Sequence, residues 1–289
     1  SAFAATGEGT VSTDEVISPV PNYTAGNGQA VILMYHHLVT NEDYNTGKYK
    51  GNNAVIPVRQ FENQMKYLAE HGYTTITMSE LHTYLSQSMP LPKNCVVVTF
   101  DDGYESNYLL AFPVLKQYNI KATIAAVVSS SVVASTQGNQ NFSGIPHLTF
   151  QQMREMINSG LVEIGSHSYD GHGLITSKGT ENAKFFLARK YLSDVGRNET
   201  ESEYYQRITD DLRRSKSVLE QELGVPVTYF AYPYGANSET VQKALQEVGF
   251  QTAVTVKAGG VTLSSNPLLL NRKNVDANIS LEEYAQLLK

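Results

Sequence analysis

Three stretches of the chain place titratable or polar side chains directly behind apolar runs, where a buried strand would end. In the first, Val96-Val97-Val98 leads into Thr99-Phe100-Asp101-Asp102-Gly103. Two adjacent carboxylates repel each other and are costly to dehydrate together without a cation. An isolated Asp-Asp-Gly is equally well a solvated turn, but its place after a β-branched run favours chemistry. In the second, an apolar run over 161–165 leads into Ser166-His167-Ser168-Tyr169-Asp170-Gly171-His172. Two histidines five apart, with a glycine between them, can converge if the segment leaves the strand as a loop or helical turn. Neutral imidazoles commonly bind borderline cations, and a carboxylate beside two of them makes a three-ligand site with an open position. A histidine pair alone is more often structural; beside the Asp-Asp-Gly strand end it becomes a coherent Asp/His/His set. In the third, Tyr229-Phe230-Ala231-Tyr232 runs into Pro233-Tyr234-Gly235. That is either an aromatic strand end closed by a turn, or a rigid turn that aims a backbone N–H at developing oxyanion charge.

Side chains so far apart in sequence can meet only if parallel strands bring their C-terminal ends together. The pattern supports this. Apolar runs at 30–35, 73–77, 95–100, 122–128, 161–165, 227–231, 252–256 and 268–270 read as strands. Between them lie helical signals: Phe61, Met65 and Leu68 at helical spacing with Gly72 behind them, a helix from Ser79 as N-cap to Leu85, and one over 104–118 with a kink at Pro113. A Thr149/Gln152 capping box, a long amphipathic helix over 204–223 closed by Gly224, a helix over 239–248, and a Ser280/Glu283 cap complete the set. Alternating strands and helices imply βαβ units, and seven or eight strands suit a (β/α) barrel. Residues 1–28 lack apolar periodicity and read as a flexible tail or linker; residues 29–289 read as one domain. Residues 173–202 form the longest insertion.

Composition excludes some classes. Twenty-two Lys and Arg against 28 Asp and Glu leave a net charge of -6. That is no basic footprint for a phosphate backbone, so nucleic acid is not an expected partner. No apolar run approaches the roughly 20 residues of a membrane span, so no integral membrane segment is expected. The single cysteine, Cys95, excludes an intramolecular disulfide and any Cys-based zinc cluster.

The three motifs, in this order, resemble those of the polysaccharide deacetylases, carbohydrate esterase family four or the NodB-homology group. Thr99-Phe100-Asp101-Asp102-Gly103 matches the family's first motif, His167 to His172 its second, and Pro233-Tyr234-Gly235 its third. The resemblance spans 29–288. It implies a distorted, NodB-like α/β barrel that binds one divalent metal, zinc above all, with cobalt or nickel also suited to such ligands. By motif match, Asp102, His167 and His172 would hold the metal, and Asp101 would be the base that deprotonates the attacking water. The backbone N–H of Tyr234, in the turn set by Pro233, would receive the oxyanion. The family's general acid usually stands on a late strand, yet no histidine follows His172. Ile32-Leu33-Met34-Tyr35-His36-His37 instead looks like that strand moved to the front, as in circularly permuted deacetylases acting on poly-N-acetylglucosamine. His36 would then be the acid, Met34 would line the acetyl-methyl pocket, and His37 would face the other way by alternation. Ala231 stands where many members carry an arginine paired to the base; Arg272 could supply that charge from another strand. His71, His82 and His147 are expected to be ordinary surface residues.

The resemblance therefore implies hydrolytic de-N-acetylation of an N-acetylglucosamine polysaccharide, outside the cell or at the surface of a bacterium. A non-catalytic glycan-binding module on the same fold, or an esterase for another acetylated glycan, are the alternatives. The presence of all five catalytic and ligand positions favours the enzyme.

Overall fold

The computed structural model describes residues 18–140 and 144–289. Eight strands form one sheet: β1 (Ala30–Tyr35), β2 (Thr74–Thr75), β3 (Cys95–Asp102), β4 (Ala122–Ala126), β5 (Val162–Ser166), β6 (Tyr229–Ala231), β7 (Thr252–Val254) and β8 (Lys273–Asn274). Their order is β7-β6-β5-β4-β3-β1-β8, with β2 beside the start of β3, and every pairing is parallel. The strand that comes first in sequence thus sits beside the Asp-Asp strand, with Ala30 opposite Cys95 and Tyr35 opposite Phe100. Leu270 bridges Val254 in parallel, and four residues later Asn274 pairs with Met34. The segment 270–274 therefore joins β7 to β1 and closes a distorted barrel.

Strand alternation sorts the side chains into two cores. Ile32, Val97, Ala125, Tyr229, Ala231 and Leu270 fill the barrel interior. Leu33, Tyr35, Val98, Phe100, Ile124 and Phe230 face outward onto the helices. The inward phase, continued to the strand ends, holds Met34 and His36 on the β1 side and Thr99 and Asp101 on β3. The outer layer comprises α1 (Val58–Glu70), α2 (Met78–Ser86), α3 (Phe112–Tyr118), α4 (Val128–Gln137), α5 (Phe150–Asn158), α6 (Glu201–Leu223), α7 (Glu239–Val248) and α8 (Leu281–Leu287).

Several elements differ from the sequence expectation. The N-cap of α2 is Thr77, not Ser79, because Thr77 and Glu80 close a reciprocal capping box. The expected helix over 104–118 is a π-type turn at Asn107–Ala111 followed by α3, with Pro113 in the first turn of α3, where its missing N–H costs nothing. The strand expected over 122–128 stops at Ala126, and α4 follows at once. The segment 268–270 is no strand; its single bridge at Leu270 serves closure, and the pairing strand is β8. The insertion 173–202 carries two small hairpins, Leu174–Ser177 with Thr180–Lys184 and Tyr191–Leu192 with Arg197–Asn198.

Of the expected tail, residues 1–17 lie outside the described residues. From residue 18 the chain runs against the barrel. Ser18 Oγ lies 3.0 Å from the Tyr84 hydroxyl, and the Lys93 N–H donates to Thr24 O at 2.7 Å. No helix among the described residues is long and apolar enough to cross a membrane.

Candidate active site and metal centre

β3 ends in an unusual backbone. Asp102 has φ 77° and Gly103 φ 68°. The left-handed region is costly for a non-glycine residue, and such outliers persist where the surroundings over-determine them. Gly103 cannot be replaced freely, because a Cβ there would stand 2.9 Å from the Ala126 Cβ. The turn carries the Asp102 carboxylate to the mouth of the barrel, where Oδ1 lies 3.2 Å from His167 Nε2 and 3.3 Å from His172 Nε2.

Each imidazole is oriented from behind. His167 Nδ1 lies 2.7 Å from the Ala231 carbonyl oxygen, which can only accept, so Nδ1 carries the hydrogen and Nε2 turns a lone pair inward. The Tyr234 hydroxyl donates to the His172 carbonyl at 2.9 Å and lies 3.3 Å from His172 Nδ1. Tyr234 itself has φ 58°, the sharp turn that the third motif suggested. The loop between the histidines is held by Asp211 on α6, whose two carboxylate oxygens accept the N–H groups of Tyr169 and Asp170, each at 3.0 Å.

The ligand atoms of Asp102, His167 and His172 all lie within 4.8 Å of one another. Asp102 Oδ1 is buried and, among the described residues, has no hydrogen-bond partner despite two nitrogens close by. Lone pairs that converge without hydrogens between them are what a cation needs. Two nitrogens, one oxygen and an open side fit a catalytic divalent ion.

Beside this set, Asp101 is 2% exposed and is clamped by Arg272, with Nη1 to Oδ1 at 2.8 Å and Nη2 to Oδ2 at 2.7 Å. Arg272 is wholly buried and also donates from Nε to Thr255 O at 2.8 Å and from Nη1 to Thr99 Oγ1 at 3.2 Å. Burial pushes the Asp101 pKa up; the guanidinium charge and its two hydrogen bonds more than offset this, and the pKa ends below the ordinary value. Asp101 is therefore ionised at neutral pH. His36 Nε2 lies 3.9 Å from Asp101 Oδ2. Burial lowers the His36 pKa, against the pull of Asp101 and Asp102.

The structure thus brings together Asp101, Asp102, His167, His172, His36, Tyr234 and Arg272, with Met34 one strand step below His36. His37 turns away, its Nδ1 2.8 Å from Ser106 Oγ. His147 is not an ordinary surface residue: it is half-buried, forms a bridge to Tyr104, and their rings lie 5.1 Å apart. Tyr104 went unnoticed in the sequence. Burial, followed by the charge of the nearby Asp102 carboxylate, pushes its hydroxyl pKa up. Only its place two residues after Asp102 could have pointed to it.

The sequence profile of the polysaccharide deacetylase family matches residues 88–253, more than half of the chain. This chain belongs to the polysaccharide deacetylase family. The matched stretch of this deacetylase contains Asp101, Asp102, His167, His172, Pro233 and Tyr234, whereas Met34, His36 and Arg272 lie outside it. The deacetylase is 30% identical over 249 residues to YxkH of Bacillus subtilis (strain 168), covering 86% of this chain and 72% of that protein. It is 32% identical to the poly-beta-1,6-N-acetyl-D-glucosamine N-deacetylase of Escherichia coli (strain K12) over 231 residues, which are 77% of this chain but only 34% of that longer protein. Among solved structures, the BpsB deacetylase domain from Bordetella bronchiseptica superposes with a TM-score of 0.71 at 25% identity, covering 89% of this deacetylase and 99% of that domain.

One prediction arises from the loop support. Burial raises the Asp211 pKa to about 6, against the two N–H groups it accepts. A folded pKa above the unfolded one means that the native state holds the extra proton, so this group's contribution to stability falls as pH rises from about 4 to about 6. Urea unfolding at pH 4, 5, 6 and 7 should show wild type losing about 2–3 kcal/mol relative to Asp211→Asn across that window. A pH-independent difference between the two would remove Asp211 as the titrating group.

Proposed function

We propose that this polysaccharide deacetylase removes acetyl groups from N-acetylglucosamine residues of a β-linked polymer at the cell surface, with residues 29–289 as the catalytic domain. The observation that carries the reading is one barrel mouth with a convergent Asp102/His167/His172 set, an ionised Asp101 clamped by Arg272, and His36 facing that base. The relatives named for poly-beta-1,6-N-acetyl-D-glucosamine make that polymer the first substrate to test.

Asp102, His167 and His172 would hold the divalent ion, zinc by the character of the ligands. When bound, such an ion polarises the acetyl carbonyl and lowers the pKa of water. Asp101 takes a proton from the attacking water as the C–O bond forms, and Arg272 keeps that carboxylate ionised until it does so. The Tyr234 backbone N–H, in its left-handed turn, stabilises the charge that develops on the former carbonyl oxygen. Met34 lines the space for the acetyl methyl. His36 delivers a proton to the nitrogen as the C–N bond breaks, so that acetate and a free amine leave. Its lowered pKa keeps it neutral at rest, so it acquires that proton during turnover, and Asp101, 3.9 Å away, is the neighbour that has just gained one.

The test is acetate release from β-1,6-linked and β-1,4-linked N-acetylglucosamine oligomers, with chelator and then with Zn²⁺ restored. Release that chelator abolishes and Zn²⁺ rescues is expected. A protein that binds one Zn²⁺ per chain yet frees no acetate from any oligomer would overturn the reading in favour of glycan binding or another acylated substrate.

A further inference from the structure

We propose that a second cavity, separate from the metal set, binds a neutral pyranose residue of the polymer away from the reacting sugar. The cavity holds about 410 Å³, within the range of small-ligand pockets. It is built from segments leaving the C-terminal ends of β1 and β8, with the start of α1 between them. This is the end of the barrel where the catalytic side chains gather. Six side-chain amides line it: Asn41, Asn45, Gln60, Asn63, Gln64 and Asn278.

Some of these amides are already engaged by nearby groups. Gln60 donates to Asp276 O at 2.8 Å and accepts the Asn278 N–H at 2.7 Å, Asn278 Nδ2 donates to the Tyr44 hydroxyl at 2.9 Å, and Asn41 Oδ1 accepts the Arg59 backbone N–H at 3.0 Å. A hydroxyl that accepts from Asn278 keeps its own hydrogen free to donate. The decisive group is Gln64. It is 1% exposed, its Oε1 accepts from the Tyr35 hydroxyl at 2.8 Å, and its Nε2 has no partner among the described residues. A buried donor left unpaired costs about 1–3 kcal/mol, and a ligand oxygen in the cavity that Gln64 lines relieves that cost once the side chain turns toward it.

The chemistry selects a sugar. Amides offer donors and acceptors in pairs, matching vicinal hydroxyls and the carbonyl of an acetamide. Among the described residues no carboxylate lines the cavity, and its one cation, Arg59, is exposed, so the site carries little charge to select an ion. Tyr44 and Leu281, which is 45% exposed, give an apolar edge for sugar C–H groups. Naming the polymer rests on the deacetylase reading; the site itself rests on the cavity.

The experiment uses the full chain labelled with ¹⁵N and titrated with an N-acetylglucosamine tetramer. The side-chain amide signals of Gln64 and Asn41 should move and saturate. Asn63→Trp, an exposed position that fills the cavity without touching the core, should abolish those shifts. The same variant should raise KM for the tetramer about tenfold at unchanged kcat, the worth of one or two neutral hydrogen bonds, and leave the disaccharide unaffected. Gln64 signals that stay still at saturating tetramer would mean that the cavity holds water only and would overturn the proposal. Unchanged length dependence in Asn63→Trp would likewise overturn it. If wild type frees no acetate at all, the deacetylase reading fails, while the titration still decides this site on its own.

Discussion

Arg272→Met should cost about 3–5 kcal/mol of folding stability and shift the low-pH limb of activity upward. Both effects come from one contact. Asp101 and Arg272 are 2% and 0% exposed and share two hydrogen bonds, so removing the guanidinium leaves a carboxylate dehydrated without a partner. What remains is burial, which raises the Asp101 pKa, against only the weaker pull of His167 and His36. The sign follows. In wild type the lowered pKa gives stability that is present above the unfolded value near 4 and is lost as pH falls through the folded value. In the variant burial moves the folded pKa upward, so the low-pH limb of activity moves up with it. Urea unfolding and a pH profile of kcat/KM measure the two halves. Adding Asp101→Asn to Arg272→Met should recover most of the stability and none of the activity. An unmoved low-pH limb in Arg272→Met would show that Arg272 only packs.

The second large effect separates base from acid. Asp101→Asn should lower turnover by about 10²–10⁴-fold while still binding one metal per chain, because the convergent set is Asp102, His167 and His172. His36→Gln should lose a similar factor on the acetamide but much less on 4-nitrophenyl acetate, whose phenolate leaves without protonation. Asp101→Asn should lose both reactions. Equal losses on amide and ester in His36→Gln would take the acid role away from His36. Metal lost from Asp101→Asn would instead draw Asp101 into the ligand set.

The site was more legible in the sequence than the elements that carry it. Val96-Val97-Val98 before Asp101-Asp102, and the apolar run before His167, mark strand ends because a buried parallel strand needs that composition. Arg272 was visible through the leucines before it, although those leucines form a closure rather than a strand. Tyr104 and His147 were not legible: they meet across two loops, and no periodicity records a pairing of that kind. Helix α4 was hidden by its own composition, Val-Ser-Ser-Ser-Val-Val, which favours other conformations and lacks a side-chain N-cap. Thr200 and Glu203 cap α6 as well as Thr149 and Gln152 cap α5, but the expected start at Tyr204 looked for the first apolar residue and passed over the polar turn before it. Gln64 sits inside the apolar stripe of Phe61, Met65 and Leu68, where a buried amide is invisible until its neighbours are known.

The way the barrel closes also bears on how the protein is made. Strand β1 is among the first described residues to leave a ribosome and Arg272 among the last, while the strand that carries Asp101 pairs with the one and its carboxylate is clamped by the other. During synthesis at about 5–20 residues per second, the strands that carry Asp101 and His167 leave the ribosome several seconds before position 272. Through that interval Asp101 has no guanidinium beside it, and burying it then carries the uncompensated cost of dehydrating a carboxylate. The clamp on Asp101 therefore forms only when the barrel closes.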